Sequence, residues 1–172
     1  YNDIIITIRR KKVKTDLFSD TFKATYTGKN ITPKVTVKYK NITLREGIDY
    51  KVVYKNNKKI GTAKIYVIGL NYFKDSNTYK MKIIPAKTKI TKKKATKKKI
   101  TLKLKKVKGA TGYQVMYSLK KNFKGKKNIN TKKRTVVIKR KKSGKYYVKV
   151  RAYKKIGKKY VYGNYTKRIT IK

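Results

Sequence analysis

Residues 143–153 read SGKYYVKVRAY, and they show how this chain folds. From Val148 onward apolar and charged side chains alternate with a period of two, which is typical of a half-buried β-strand. Similar stretches rich in β-branched and aromatic residues recur along the chain, separated by turns containing Gly or Asn, and no stretch has a helical period. They are residues 35–37, 50–54, 63–67, 100–104, 113–117 and 136–138. The sequence therefore predicts an all-β protein.

Strands at this spacing are typical of β-sandwiches, and each half of the 172-residue chain is long enough for one small immunoglobulin-like unit. We predict two tandem sandwiches, in residues 1–85 and 86–172. Residues 88–99 are ambiguous because they contain two Lys-Lys-Lys runs. We interpret them as an edge strand followed by a solvated loop, since edge strands tolerate lysine and are protected by it.

The absence of His and Cys excludes several classes of protein. A metal site built on these residues, a Ser-His-Asp or Cys-His nucleophile and a disulfide are all impossible. We therefore predict a non-enzymatic protein with no catalytic residues, no metal and no cofactor. Hydrophobic residues make up 38% of the chain, so a core can form, which distinguishes it from a disordered polycation.

Targeting signals are missing from the sequence. It has no run of about 18 apolar residues that would span a bilayer. Ile4-Ile5-Ile6 is short and is followed, not preceded, by its basic cluster, so it does not form a signal peptide. Because the first residue is Tyr1, we expect the chain to be a piece of a longer protein that carries those signals elsewhere.

The formal net charge is +47, from 53 Lys and Arg against six Asp and Glu. This charge is unevenly distributed. All six acids precede Ala86, so residues 1–85 carry +13 and residues 86–172, which contain no acid, carry +34. The two predicted domains therefore differ in chemistry as well as in sequence.

From Lys105 the chain resembles a fibronectin type III domain of the kind found in surface and wall-associated proteins of Gram-positive bacteria. The resemblance is carried by residues 106–118 (KVKGATGYQVMYS), 143–153 and 162–165 (YGNY). It implies that these stretches are the third strand, the sixth strand and the start of the closing strand, and that Tyr146 is the tyrosine of the corner motif. It further implies that six side chains face inward. They are Tyr113, Val115, Tyr117, Val148, Val150 and Ala152.

Residues from about Ala24 to Pro85 resemble a short bacterial immunoglobulin-like repeat. The matching motifs are mostly turns and strand starts, and residues 1–23 match less well. The motifs are residues 26–29 (YTGK), 33–35 (PKV), 46–50 (EGIDY), 56–57 (NN), 61–63 (GTA) and 69–72 (GLNY). Both resemblances imply mainly non-catalytic spacer and adhesive modules, located outside the cell on a bacterial surface or secreted.

Clusters of basic residues are the candidate binding site, and we predict that they contact a polyanion. The candidates in the second half are Lys92, Lys93, Lys94, Lys97, Lys98, Lys99, Lys126, Lys127, Lys132, Lys133, Arg134, Lys139, Arg140, Lys141 and Lys142. A further cluster lies at residues 9–12. The alternative is an ordinary solvated surface in an organism with AT-rich codons, which explains the preference for Lys over Arg but not the missing acids.

Lysine is a hydrated point charge, which suits sequence-blind attraction to a dense anionic polymer such as wall teichoic acid, anionic phospholipid or glycosaminoglycan. Nucleic-acid readers rely more on Arg and exposed aromatics, so nucleic acid is the less favoured partner. A protein- or glycan-binding module with incidental charge is the other alternative. Further domains of the same longer chain are additional expected partners.

Two smaller features complete the sequence-based expectations. By strand parity, Tyr147 and Tyr153 point away from the core if Tyr146 points into it. Glu46 and Asp49 flank Gly47 at the start of a strand, and we interpret them as turn residues because nothing in the sequence places them across a cleft, as a hydrolase would need.

Overall fold

The computed structural model describes residues 4–8, 22–39, 42–73 and 76–172, and every regular element in this part of the chain is a β-strand. The strands are β1 (Ile4–Ile8), β2 (Phe22–Thr25), β3 (Val35–Tyr39), β4 (Ile42–Thr43), β5 (Tyr50–Lys55), β6 (Gly61–Gly69), β7 (Ser76–Ile84), β8 (Ile90–Ala95), β9 (Lys99–Leu104), β10 (Gly112–Ser118), β11 (Lys127–Thr131), β12 (Thr135–Lys139), β13 (Tyr146–Ile156), β14 (Lys159–Tyr162) and β15 (Ile169–Ile171). The prediction of an all-β fold is confirmed. A search of the described ranges for a helix able to cross a membrane finds none.

The chain forms two compact units. The first comprises the described residues of Tyr1–Ala24 and of Lys29–Ile83, and the second comprises Thr25–Gly28 and Ile84–Lys172. Each unit contains two sheets, as expected for a β-sandwich.

The first unit pairs a three-stranded sheet, in the order β1-β3-β4, with a four-stranded sheet, in the order β2-β7-β6-β5. β1 runs parallel to β3, with Ile4 beside Val35. In β6 the buried residues Ala63, Ile65 and Val67 are two apart, and the Tyr50 hydroxyl of β5 donates a 2.8 Å hydrogen bond to the Val35 carbonyl of β3. This bond joins the two sheets through the core. The buried strand residues are Val35, Val37, Tyr50, Ala63, Ile65, Val67, Met81 and Ile83.

The second unit has a three-stranded sheet, in the order β12-β9-β8, and a five-stranded sheet in which β10 and β13 are central. β11 and β13 flank β10, and β14 and β15 both pair with β13. All these pairings are antiparallel, and Val115 lies beside Val150 at the centre. Counted within the unit, β10 is the third strand and β13 the sixth, as the fibronectin type III resemblance implies.

The core of the second unit lies between these sheets and confirms the residues that we expected to face inward. Five of the six belong to the buried cluster, and Tyr117 packs against it while partly exposed. Tyr146 is 4% exposed, and its hydroxyl donates a 3.1 Å hydrogen bond to the Lys142 carbonyl, so the tyrosine corner is confirmed. The cluster comprises Ile100, Leu102, Leu104, Val107, Tyr113, Val115, Val136, Ile138, Tyr146, Val148, Val150, Ala152 and Ile171.

The ambiguous stretch at residues 88–99 contains an edge strand, as predicted. β8 lies at the edge of its sheet and is exposed from Thr91 to Ala95. Its register against β9 shifts between Ile90 and Lys92, and a tight turn follows it. The basic cluster at residues 9–12 lies outside the described residues.

Candidate anion-binding surface

Sheet pairing assembles a basic surface on the outer side of β12-β9-β8. Along β9, Ile100, Leu102 and Leu104 are buried, so the side chains of Lys99 and Lys103 alternate with them and point outward. Lys92 of β8 lies beside Lys103, and Lys99 lies beside Lys139 of β12. We call the five exposed lysines of this surface the lysine face. They are Lys92, Lys94, Lys99, Lys103 and Lys139.

The spacing of these charges follows from sheet geometry. Directly paired residues have Cβ atoms about 5 Å apart, and residues two apart on one strand lie about 7 Å apart. Two unit charges ~5 Å apart repel by about 0.8 kcal/mol in water. Neighbouring side chains on the same surface, Thr101, Thr135 and Val137, carry no charge to offset this repulsion. The lysine face is therefore an array of positive charge that a polyanion would neutralise.

More of the predicted residues gather at one end of this sheet. Lys97 and Lys98 lie in the turn between β8 and β9, where Thr96 Oγ1 accepts a 3.1 Å hydrogen bond from the Lys99 amide. The loop that follows β12 reaches the same turn, because the Arg140 amide donates a 2.9 Å hydrogen bond to the Lys98 carbonyl. Lys141 and Lys142 extend this exposed cluster. Lys93 is also exposed, at the sheet edge opposite Leu102.

Arg140 has a different environment from the lysines around it. Its guanidinium donates hydrogen bonds to the carbonyls of Thr96 (3.1 Å) and Gly144 (3.0 Å). It also lies 5.3 Å from the ring centre of Tyr146, and its Nε is buried without a hydrogen-bond partner among the described residues. Arg140 therefore holds the loop beside the tyrosine corner, and two of its guanidinium nitrogens are already hydrogen bonded within the second unit.

The remaining predicted residues lie elsewhere. Lys132, Lys133 and Arg134 form the exposed link between β11 and β12, at the end of β12 away from Arg140. Lys126 and Lys127 lie at the start of β11, in the five-stranded sheet. The structure thus divides the candidates among three places.

Lys103 belongs to the lysine face although it lies in none of the predicted clusters. The signal was present in the sequence, because Lys103 alternates with the apolar Leu102 and Leu104. A search for runs of adjacent basic residues misses it, since neighbours on one face of a strand are two apart in sequence.

The outer side of the five-stranded sheet carries a different arrangement, which we call the ladder. Aromatic rings and cations alternate in one stack along it. Arg151 lies 3.7 Å from the ring centre of Tyr162 and 4.3 Å from that of Tyr165, and Lys149 lies 4.7 Å from Tyr165 and 4.5 Å from Phe123. Tyr160 stacks on Tyr162 at the far end, with ring centres 5.8 Å apart. The ladder comprises Tyr160, Tyr162, Arg151, Tyr165, Lys149 and Phe123.

Hydrogen bonds tie the ladder to the sheet beneath it. Gln114 of β10 accepts bonds at Oε1 from Arg151 Nε (2.9 Å) and from the Tyr165 hydroxyl (2.6 Å). Its amide nitrogen donates to Asn130 Oδ1 at 3.0 Å. Burial raises the pKa of Tyr165, and Tyr162 adds to the rise while Arg151 opposes it. Gln114 and Met116 are buried although they lie on the outer side of the sheet, where they pair with Arg151 and Lys149.

Tyr147 and Tyr153 both point away from the main core, as strand parity predicts, but Tyr153 is not exposed. Tyr147 is partly exposed, and the Arg168 guanidinium lies 5.5 Å from its ring centre. Tyr153 lies outside the main core cluster yet is only 5% exposed, because it packs edge-on against Tyr160 and Tyr162. Burial raises its pKa, and the two neighbouring tyrosines add to the rise.

Glu46 and Asp49 form a turn, as predicted. Asp49 Oδ2 accepts hydrogen bonds from the Arg45 amide (2.8 Å) and Arg45 Nε (3.1 Å), and these bonds lower the pKa of the Asp49 carboxyl. Gly47 between them has a φ of 87°, and its amide donates to the Tyr50 carbonyl at 2.7 Å. In the described ranges, no three acidic side chains group closely enough to bind a metal ion.

Comparison with known proteins adds little to this geometry. No family model and no curated protein matches the sequence. A solved structure that resembles the chain is that of the FN1-FN3 domains of chicken CNTN1, at 18% identity and a TM-score of 0.37. The match covers 64% of this chain and 40% of that one. The immunoglobulin-like and fibronectin-like description therefore rests on the strand order and register given above.

Proposed function

We propose that this chain is a non-enzymatic extracellular segment of a bacterial surface or secreted protein, and that it is held to an anionic cell-wall polymer such as teichoic acid. The observation that supports this most is the lysine face, where five exposed lysines cover the outer side of β12-β9-β8. Residues 86–172 contain no acid that could neutralise it. The turn lysines Lys97 and Lys98 and the loop lysines Lys141 and Lys142 extend the contact.

The residue types on this surface favour a flexible, repetitive polyanion over a sequence-specific partner. Lysine ammonium groups attract phosphate as point charges, whereas bidentate recognition of phosphate or guanine requires arginine. Residues 86–172 contain 30 lysines against four arginines, and Arg140 and Arg151 donate hydrogen bonds within the second unit. The lysines therefore provide most of the charge available for binding, and the main driving force is counterion release.

Salt dependence tests this mechanism. Binding to purified Gram-positive cell walls, with and without teichoic acid, is measured between 50 and 200 mM salt. For about six phosphate contacts, affinity should fall on the order of a thousandfold over this range. Walls stripped of the polymer should bind far more weakly, and equal binding to stripped walls would refute the proposal.

Two variants with the same change in charge locate the contact. The first replaces the lysine face by glutamine: K92Q, K94Q, K99Q, K103Q and K139Q. The second replaces five exposed lysines elsewhere in the second unit: K106Q, K145Q, K158Q, K159Q and K172Q. The first variant should lose most wall binding and much of the salt dependence, and the second should lose distinctly less. Equal losses would mean that net charge, not the lysine face, determines binding.

The same experiment separates the alternatives. If the lysine-face variant binds cell walls as well as the original chain does, the segment is a protein- or glycan-binding module with incidental charge. If DNA or RNA competes at physiological salt while teichoic acid does not, the segment binds nucleic acid.

A further inference from the structure

A separate group of cations lines a shallow, open concavity in the second unit, beside the loop that joins β10 to β11. The concavity is lined by Lys120, Lys121, Asn122 and Arg168. Arg168 comes from the segment just before β15, so two distant parts of the sequence meet here. None of these four residues belongs to the lysine face, and none lies in the basic clusters singled out from the sequence.

The loop that presents the two lysines is held by its own hydrogen bonds. Ser118 Oγ donates to the Lys124 carbonyl at 2.8 Å and accepts from the Lys120 amide at 3.0 Å. The Phe123 amide donates to the Lys120 carbonyl at 3.0 Å, which closes a turn over the intervening residues. The side chains that line the concavity therefore start from an ordered backbone, which lowers the entropy lost when they bind a ligand.

Arg168 is oriented by two contacts. Its Nη1 donates a 3.2 Å hydrogen bond to the Lys121 carbonyl, and its guanidinium lies 5.5 Å from the ring centre of Tyr147. A guanidinium held in this way presents a planar set of donors, the geometry that matches phosphate and similar oxyanions. This distinguishes the concavity from the lysine face, where the cations are point charges on flexible stems.

Asn122 supplies a neutral donor. Its Oδ1 accepts a 3.0 Å hydrogen bond from the Lys124 amide, so the nitrogen of the side-chain amide is the end that remains to donate. We propose that this concavity binds one tetrahedral oxyanion, a phosphate or sulfate group, between Arg168, Lys120, Lys121 and Asn122. Arg168 would provide the oriented donors, the lysines the charge and Asn122 the additional hydrogen bond.

The test is a titration of the full chain with inorganic phosphate, and separately with inorganic sulfate, at an ionic strength kept constant with chloride. Nuclear magnetic resonance follows the amide signals of residues 120–122, the Asn122 side-chain NH₂ and the Arg168 Nε–H. We expect a saturable shift confined to these signals. Saturation by either anion supports the site, and the ratio of the two affinities shows which group it favours.

A double variant tests the site without removing the backbone hydrogen bonds that hold its loop. K120Q/K121Q keeps the backbone groups through which both residues make the hydrogen bonds described above. Loss of two nearby charges should lower the affinity for the anion about tenfold. The control K158Q/K159Q changes the charge equally at the exposed β13–β14 turn and should stay within about twofold of the original chain.

Three results would overturn the proposal. The first is a set of NMR shifts that grow linearly with anion concentration or spread over the signals of all lysines. The second is equal weakening of anion binding in the two double variants. The third is saturation by an oligoglutamate peptide but by neither inorganic anion. The lysine-face variant should bind phosphate here as the original chain does. Failure at this site therefore leaves the wall-polymer proposal intact, and the reverse also holds.

Discussion

The two outer sheet surfaces of the second unit carry positive charge in opposite ways. On the lysine face, Lys92 lies beside Lys103 and Lys99 beside Lys139, so cations neighbour cations. On the ladder, every cation lies between two aromatic rings, and Arg151 is also hydrogen bonded to Gln114. The same side-chain charge is thus presented to solvent on one surface and engaged in the fold on the other.

This difference shows that a charge count overstates the surface that can bind a polyanion. Lys149 and Arg151 contribute to the +34 of residues 86–172, yet both contact aromatic rings and lie beside the buried residues Met116 and Gln114. Cation–π contacts contribute about 0.5–1 kcal/mol each when exposed and about 2 when desolvated. The ladder therefore stabilises the sheet, while the lysine face costs stability unless a counterion is present.

Replacing Arg151 by alanine should break the ladder and have the largest effect on stability. The change removes contacts with two rings and the bond to Gln114, and we expect the free energy of unfolding to fall by about 3 kcal/mol. Urea denaturation of the full chain measures it. The matched change on the other surface, Lys103→Ala, should stay within about 0.5 kcal/mol. Comparable losses would mean that the two surfaces do not differ in the way described.

Gly112 provides a second test, because the ladder side of β10 leaves no space for a side chain there. A Cβ at this position would lie 2.5 Å from both the Thr131 carbonyl oxygen and the Tyr153 hydroxyl. Gly112→Ala should therefore cost about 2 kcal/mol through displacement of neighbouring groups. In a double-mutant cycle with Tyr153→Ala, part of this cost should disappear. Strict additivity would show that the Tyr153 ring is not the obstacle.

Salt should reveal the smaller cost of the lysine face. Screening the two lysine pairs between about 10 and 200 mM salt should raise the free energy of unfolding by about 0.5 kcal/mol. The five-lysine face variant should show a flatter salt response than the variant with five lysines replaced elsewhere. Thermal denaturation at several salt concentrations makes the comparison. Identical slopes would mean that repulsion is spread evenly over the unit.

Much of the fold was predictable because the residue pattern of a β-strand is contained in a short stretch of sequence. The alternation in residues 148–152 predicts β13, and the lysine runs of residues 88–99 predict an edge strand. The Tyr146 hydrogen bond was implied by the resemblance to a fibronectin type III domain, whose corner motif is contained within a few residues. Each of these features depends on neighbours in sequence, so the sequence was enough to predict it.

The sequence did not predict which cations lie exposed on the lysine face and which contact aromatic rings or backbone carbonyls. Tyr162 reaches Arg151 because β14 folds back on β13, with Tyr162 beside Tyr153, and Tyr165 comes from an irregular segment. Arg140 lies in a basic cluster, yet it bonds to Thr96, 44 residues away. Lys103 joins the lysine face only through its partners on β8 and β12. The clusters of basic residues in the sequence therefore predicted where positive charge is concentrated, but not which groups each cation contacts.

The sequence by itself determined an all-β chain with two strand-rich halves, an acid-free second half and a buried tyrosine corner. The strands and the charge distribution follow from periodicity and composition, and the tyrosine corner follows from the resemblance to a fibronectin type III domain. All of these depend on residues near one another along the chain. Only the tertiary structure decided which cations remain available to a ligand. Strand register sets whether a lysine lies beside another lysine or under an aromatic ring, and register is a relation between distant segments.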